Sequence, residues 1–166
     1  MNKTKTVKES IVADYPHTIF PNDLNAVKTA FGGRVLEIAD RVAAIAAQRH
    51  SGKTCVTLGV DSVRFLAPAQ KGETLIFKAA VNRVWKSSME VGVKVLVENF
   101  QTGENRHVVS AYFTFVAIND RKRPIKVTEI IPETPEEKRR YQEADQRRQL
   151  RLQQEKKQTR CLKRVF

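Results

Sequence analysis

The stretch Asn25-Ala26-Val27-Lys28-Thr29-Ala30-Phe31-Gly32-Gly33-Arg34-Val35-Leu36-Glu37-Ile38-Ala39-Asp40 decides how this chain is read. The glycine pair opens a helix running from Gly33 to His50, and Ser51-Gly52 ends it. Val35, Leu36, Ile38, Ala39, Val42, Ala43, Ala44, Ile45, Ala46 and Ala47 make that helix apolar on nearly every side, the pattern of a buried helix. Within it Asp40 has Leu36 and Ala44 four residues away and Glu37 and Ala43 three away, so no cation on the same helix neutralises it. A carboxylate in such a place is costly. Two readings stand: a working acid or base, or a carboxylate that caps a loop or pairs with a distant arginine.

Around this helix the chain alternates with period two. Val56, Leu58 and Val60 alternate with Thr57, Gly59 and Asp61. Leu75, Phe77, Ala79 and Val81 mark a second run, Met89 to Val97 a third, and Val109 to Ala117 a fourth. An extended piece near Tyr15 to Phe20 precedes the helix, and Pro21-Asn22-Asp23 turns the chain between them. One strand, a buried helix and four further strands imply an α+β domain in which an antiparallel sheet wraps a long central helix. The expected division is a flexible lead over residues 1–13, the α+β domain over 14–126, and a basic helical tail over 127–166. In the tail, Thr134-Pro135-Glu136-Glu137 reads as a capped helix start. Its few apolar residues, Tyr141, Ala144, Leu150 and Leu152, suggest a helix that projects or lies along another subunit.

Composition narrows the functional classes. No run approaches the ~20 apolar residues of a membrane span, and basic Met1 to Lys8 lacks the apolar core expected of a secretory signal. Cys55 and Cys161 are too few for a disulfide framework, so both are expected to be free thiols in a reducing cytoplasm. The net charge of +12 is densest in the C-terminal quarter and suits any polyanion, from nucleic acid to a phosphorylated cofactor. His17, His50 and His107 lack metal-ligand spacing, and no C-x-x-C pattern occurs, so no catalytic metal is expected. The absence of a G-x-S-x-G elbow argues against an α/β-hydrolase. At the helix start, Gly32 and Gly33 permit close backbone approach beside unpaired N–H groups that suit an oxyanion, or else they serve tight packing. Asn25 is a candidate polar group of the same site, or an ordinary turn residue.

The chain resembles the hotdog-fold acyl-CoA thioesterases over roughly Pro21 to Asp120. The resemblance lies in Pro21-Asn22-Asp23-Leu24-Asn25, Phe31-Gly32-Gly33, Asp40, Arg49-His50, Thr57, Val60-Asp61-Ser62-Val63-Arg64-Phe65, Ser87-Ser88-Met89-Glu90-Val91 and Phe113 to Ala117. It implies hydrolysis of acyl-CoA to fatty acid and coenzyme A, with coenzyme A part of the substrate and no separate cofactor. It further implies a catalytic set of Asp40, Asn25 and the Gly33 region, with Asn25 from one subunit and Asp40 from the other. Gly32, Arg49, His50, Thr57, Ser87, Ser88 and Met89 become candidate substrate-binding residues. The implied assembly is a homodimer, extended to a trimer of dimers, in the cytoplasm, with no specific nucleic-acid partner. Leu36-Glu37-Ile38-Ala39 replaces bulkier residues common before the aspartate, which bears on acyl-chain preference. The alternatives are a non-catalytic acyl-CoA sensor of the same fold, a basic nucleic-acid-associated protein, and a hotdog dehydratase, for which no matching histidine stands out.

Overall fold

The computed structural model describes the backbone of residues 4–165 and side chains of residues 4–154. Helix α1, Gly32–Ser51, is the centre of the fold. Val35, Ile38, Ala39, Val42, Ala43, Ala46 and Ala47 are buried along its sheet-facing side. It stops where Gly52 adopts φ 64 in the left-handed region and donates its N–H to Gln48 O.

Strands β1 (Lys5–Thr6), β2 (Val12–Thr18), β3 (Thr54–Phe65), β4 (Thr74–Val84), β5 (Ser88–Glu98), β6 (Asn105–Ile118) and β7 (Ile130–Ile131) form two sheets. The main sheet has the order β2-β4-β5-β6-β3 and is antiparallel throughout. Its inner face, including Phe77, Met89, Val91, Phe113 and Phe115, packs against α1. A chain with period-two strands and one apolar helix buries both in this way, and the expected hotdog arrangement is what the structure has.

Three expectations are corrected. The lead over residues 4–13 is folded: Val7, Ser10 and Val12 are buried, β1 pairs with β7, and β2 begins at Val12 rather than Tyr15. Residues after 126 also join the core through Val127 and Ile130. The chain ends thus pack on each other, and their sparse apolar residues are the ones that dock. In β3, two bulges break the alternation. Leu58 falls between the Thr57↔Phe115 and Gly59↔Thr114 pairs, and Asp61 between Val60↔Phe113 and Ser62↔Tyr112. Thr57, the partner of Phe115, faces α1, and the bulge at Leu58 brings Val60, the partner of Phe113, to that same face, whereas simple alternation put Val56, Leu58 and Val60 together on one face.

The third correction concerns α2, Pro135–Val165. Its start is capped as expected, with Glu137 N–H donating to Thr134 Oγ1 and Thr134 N–H to Glu137 Oε2. As far as Arg151 it lies on this chain rather than projecting. It returns across the outer face of its own sheet, where Ala144 is fully buried. Docking here is ionic: Glu90, 1% exposed, accepts bonds from Arg147 at 2.7 and 2.9 Å and from Asn82 Nδ2 at 2.9 Å. Arg147 lies 3.7 Å from the Tyr112 ring centre, and Arg83 4.1 Å from that of Tyr141. A Cβ on Gly92 would meet Asn82 Nδ2 at 2.8 Å, so only glycine lets Asn82 lie there and reach Glu90. Apolar periodicity could not reveal a helix held by charges. Cys55 is a free, buried thiol, and the Cys161 side chain lies outside the described residues.

Arg147→Ala leaves Glu90 buried without its cation, and a loss of about 3–5 kcal/mol is expected in urea unfolding. Arg147→Met combined with Glu90→Gln should regain most of that loss, because no buried charge then remains unpaired.

Candidate active site

The turn before α1 is built by Asn25. Its Oδ1 accepts the N–H groups of Val27 and Thr29, and its Nδ2 donates to Thr29 Oγ1 at 2.9 Å. The turn forces Lys28 to φ 62, a conformation uncommon for a residue with a side chain. An amide nitrogen carries two protons, so Asn25 keeps one N–H beyond the bond to Thr29. Asn25 therefore shapes the turn and can still present a donor.

Asn25, Gly32, Val35, Phe65, Leu66 and Val109 line a mostly apolar cavity of about 410 Å³ at the start of α1. The first N–H groups of a helix have no partner within it. Arg34 N–H donates to Phe31 O and so is not free for an oxyanion. Among the described residues, no acceptor takes up the N–H groups of Gly32 and Gly33. Those two amides, at the positive end of α1, remain available for a developing negative charge.

Asp40 stands about 12 Å further along the helix from Gly32, at ~1.5 Å per residue. It is half-buried, with half-buried Leu36 and Ala44 one turn away on either side. It is not partnerless: Thr57 Oγ1, inward-facing on β3, donates to Asp40 Oδ1 at 2.7 Å. That leaves Oδ2 open. Thr57 and Met89 both pair with Phe115, so all three lie in one row across the sheet beneath Asp40. Met89 is fully buried, and half-buried Ser87 and Ser88 lead into its strand. One chain thus assembles Asn25 with Gly32 and Gly33, and separately Asp40 with Thr57.

Arg49 and His50 belong elsewhere. They sit at the C-terminal end of α1, about 25 Å from Gly32. Arg49 donates to Ile11 O at 2.5 Å. His50 is 0% exposed, its Nε2 is bonded to Thr128 O at 2.8 Å and its Nδ1 is unpartnered. Burial lowers its pKa and favours the neutral ring. Both residues hold the chain ends to the helix, apart from the Gly32 and Asp40 half-sites of the same chain.

Asp23 was read as a turn residue and does more. Its carboxylate accepts bonds from Phe20 N–H at 3.0 Å, His17 Nε2 at 3.1 Å and Arg34 Nε at 3.0 Å, and its carbonyl accepts Phe31 N–H at 2.7 Å. It ties the Asn25 turn to the first turn of α1. Nothing in the sequence spacing signals this, because the partners lie on three separate segments.

Sheet and helix together define a hotdog domain. The thioesterase superfamily model matches residues 28–103. A Bacillus subtilis (strain 168) protein named uncharacterized acyl-CoA thioester hydrolase YkhA is 38% identical over 135 residues, covering 81% of this chain and 78% of that one. The structure of an acyl-CoA hydrolase from Staphylococcus aureus, solved with butyryl coenzyme A, coenzyme A and coenzyme A disulfide, superposes with TM-score 0.90 at 32% identity. It covers 98% of this chain and 99% of that one. Structures of that hydrolase also exist with an asparagine, an aspartate or a threonine replaced by alanine, at positions 15 and 17 residues apart in that order. A hexameric acyl-CoA thioesterase superposes with TM-score 0.86 at 34% identity, covering 90% of this chain and 97% of that one. The chain belongs to the hotdog-fold acyl-CoA thioester hydrolases.

Asp23→Asn should destabilise the fold by about 1–3 kcal/mol at neutral pH. Burial pushes the Asp23 carboxyl up, but the bonds from Phe20, His17 and Arg34 outweigh it and hold the pKa below the ordinary value. A depressed carboxyl stabilises fully above its unfolded pKa of about 3.9 and loses that contribution as pH falls through the folded pKa. Thermal unfolding from pH 7 to pH 2 should show the two proteins' stabilities converging below about pH 4.

Proposed function

We propose that the chain hydrolyses acyl-CoA thioesters to a fatty acid and coenzyme A, at sites divided between two copies. One copy supplies Asn25 and the N–H groups of Gly32 and Gly33, and the other supplies Asp40 with Thr57. The observation that carries this reading is spacing. Asn25, Asp40 and Thr57 are 15 and 17 residues apart, as are the asparagine, aspartate and threonine replaced in the Staphylococcus aureus hydrolase. The division between copies is supported by the separation of the two half-sites along α1. It is also supported by edge strand β3, which presents Val56 and Leu58 to solvent, Leu58 at 65% exposure. An open edge of this kind invites pairing with a second copy. Assembly of three such dimers follows the hexameric relative. The proposed setting is the cytoplasm, with no metal or separate cofactor taking part.

In this mechanism the acyl chain occupies the apolar cavity and the thioester carbonyl faces the start of α1. Asp40 Oδ2 takes a proton from water, and the hydroxide adds to the carbonyl carbon. The Gly32 and Gly33 amides hold the oxyanion, and the remaining Asn25 N–H orients the carbonyl or the water. Collapse breaks the C–S bond. The thiolate, with a reference pKa of ~8.5, leaves readily and regains its proton from Asp40. Thr57 pins the other carboxylate oxygen, so the base keeps one aim.

Thiol release from acyl-CoAs of increasing length tests the reading. Turnover is expected on at least one length and is expected to persist with a chelator. No turnover on any length supports the sensor instead. Asp40→Asn should lose at least a hundredfold in kcat while keeping its fold. In single turnover in ¹⁸O-water the label should enter the fatty acid alone; label in the Asp40 carboxylate would mean that Asp40 attacks the thioester itself.

A further inference from the structure

We propose that Arg151, on the outer face of the sheet, is a positioning residue for the hydrolysis: from α2 it clamps the Asp61 bulge of β3 and so fixes Thr57, the donor to Asp40. This inference rests on the proposed role of Asp40 and Thr57.

Strand β3 is an edge, paired among the described residues only with β6. Its two bulges, at Leu58 and Asp61, enclose Gly59 and Val60 just beyond Thr57. A bulge reverses the alternation of faces, and a one-residue slip that absorbs it turns every side chain of the slipped segment over. Loss of the Asp61 bulge alone turns the segment bearing Thr57 to the outer face, and loss of both bulges moves Thr57 two residues along β6, away from its place opposite Phe115. Something must therefore hold an edge strand in a pairing that regular pleating would erase.

The Asp61 side chain, 11% exposed, points to the outer face. There Arg151 Nη1 donates to Asp61 Oδ1 at 2.6 Å and Oδ2 at 2.5 Å, and to Thr114 Oγ1 at 2.7 Å. Thr114 Oγ1 in turn donates to Asp61 Oδ2 at 3.1 Å, and Thr114 is the partner of Gly59, between the two bulges. The clamp thus joins the bulge to the neighbouring strand at the place where slippage would begin. Arg151 is itself placed by Arg147, one helical turn earlier and locked to Glu90. The charged tail helix, expected to project or to lie along another subunit, thus acts on the proposed site through the sheet without touching substrate.

All bonds of the clamp leave from one nitrogen, so a lysine ammonium can replace it, whereas glutamine or alanine cannot supply the charge. The test compares kcat and KM of the full-length wild type, Arg151→Ala, Arg151→Gln, Arg151→Lys, Thr57→Val and the double variant Arg151→Ala/Thr57→Val, using the best substrate of the acyl-CoA panel. Arg151→Ala is expected to lower kcat about ten- to a hundredfold, with KM within about twofold because no contact with substrate is lost. Arg151→Lys should restore most of the rate. In the Thr57→Val background, Arg151→Ala should cost nothing further, because the two act through one donor.

A merely structural role would lower the unfolding temperature without this pattern. Should Arg151→Ala fail to fold, Arg151→Gln, which keeps a polar group at a side chain 22% exposed, supplies the same comparison. A folded Arg151→Ala or Arg151→Gln with wild-type kcat overturns the proposal, as do multiplicative losses in the double variant. Wild-type turnover by Thr57→Val would instead overturn the site reading itself, a result visible without any change at Arg151.

Discussion

Burial of α1 on one side only is the constraint from which the rest of the structure follows. The sheet covers Val35, Ile38, Ala39, Val42, Ala43, Ala46 and Ala47, and it leaves the side bearing Leu36, Asp40 and Ala44 half-covered. A fully covered Asp40 would be a desolvated carboxylate with a single hydroxyl donor, a costly state. The half-covered position leaves one oxygen for Thr57 and one for a reactant. The same helix begins with two glycines whose amides have no acceptor, so its two useful features stand about two turns apart. The proposed reaction needs both at one carbonyl and so needs a second helix, which a second copy joined along edge strand β3 would bring.

The outer face of the sheet is organised by different forces. Where the inner face is apolar, this one has Glu90, Asn82, Thr114 and Asp61, and α2 answers with Arg147 and Arg151. Buried ion pairs are a poor source of net stability but define geometry sharply, since removing one partner is expensive. A helix docked in this way has little freedom to slide. That property suits an element whose task is to hold a bulged edge strand in register.

The hotdog architecture was legible in the sequence because it rests on burial. Apolar residues on nearly every side of Gly33 to His50 and period-two runs such as Met89 to Val97 state their partners' faces directly. Asp40 stood out for the complementary reason: a carboxylate without a local cation, in an apolar helix, is an anomaly. What escaped depends on contacts between distant segments. Asp23 acts through partners at 17, 20 and 34, and His50 turns inward to Thr128, a contact no spacing encodes. The bulges of β3 escaped because period-two reading assumes an unbroken pleat, and this strand has two interruptions within five residues of Thr57. The α2 docking escaped because apolar periodicity ignores ionic contacts.

The most direct test of the divided site is complementation between two inactive proteins. Asn25→Ala lacks one half-site and Asp40→Asn the other. They are mixed under conditions in which native mass spectrometry of differently labelled subunits demonstrates exchange. In a symmetric dimer that shares its sites, each mixed pair holds one wild-type site and one doubly impaired site, so thiol release should return to about a quarter of the wild-type level at equal mixing. Exchange without any return of activity would show that Asn25 and Asp40 act within one chain or not at all, and would contradict the account.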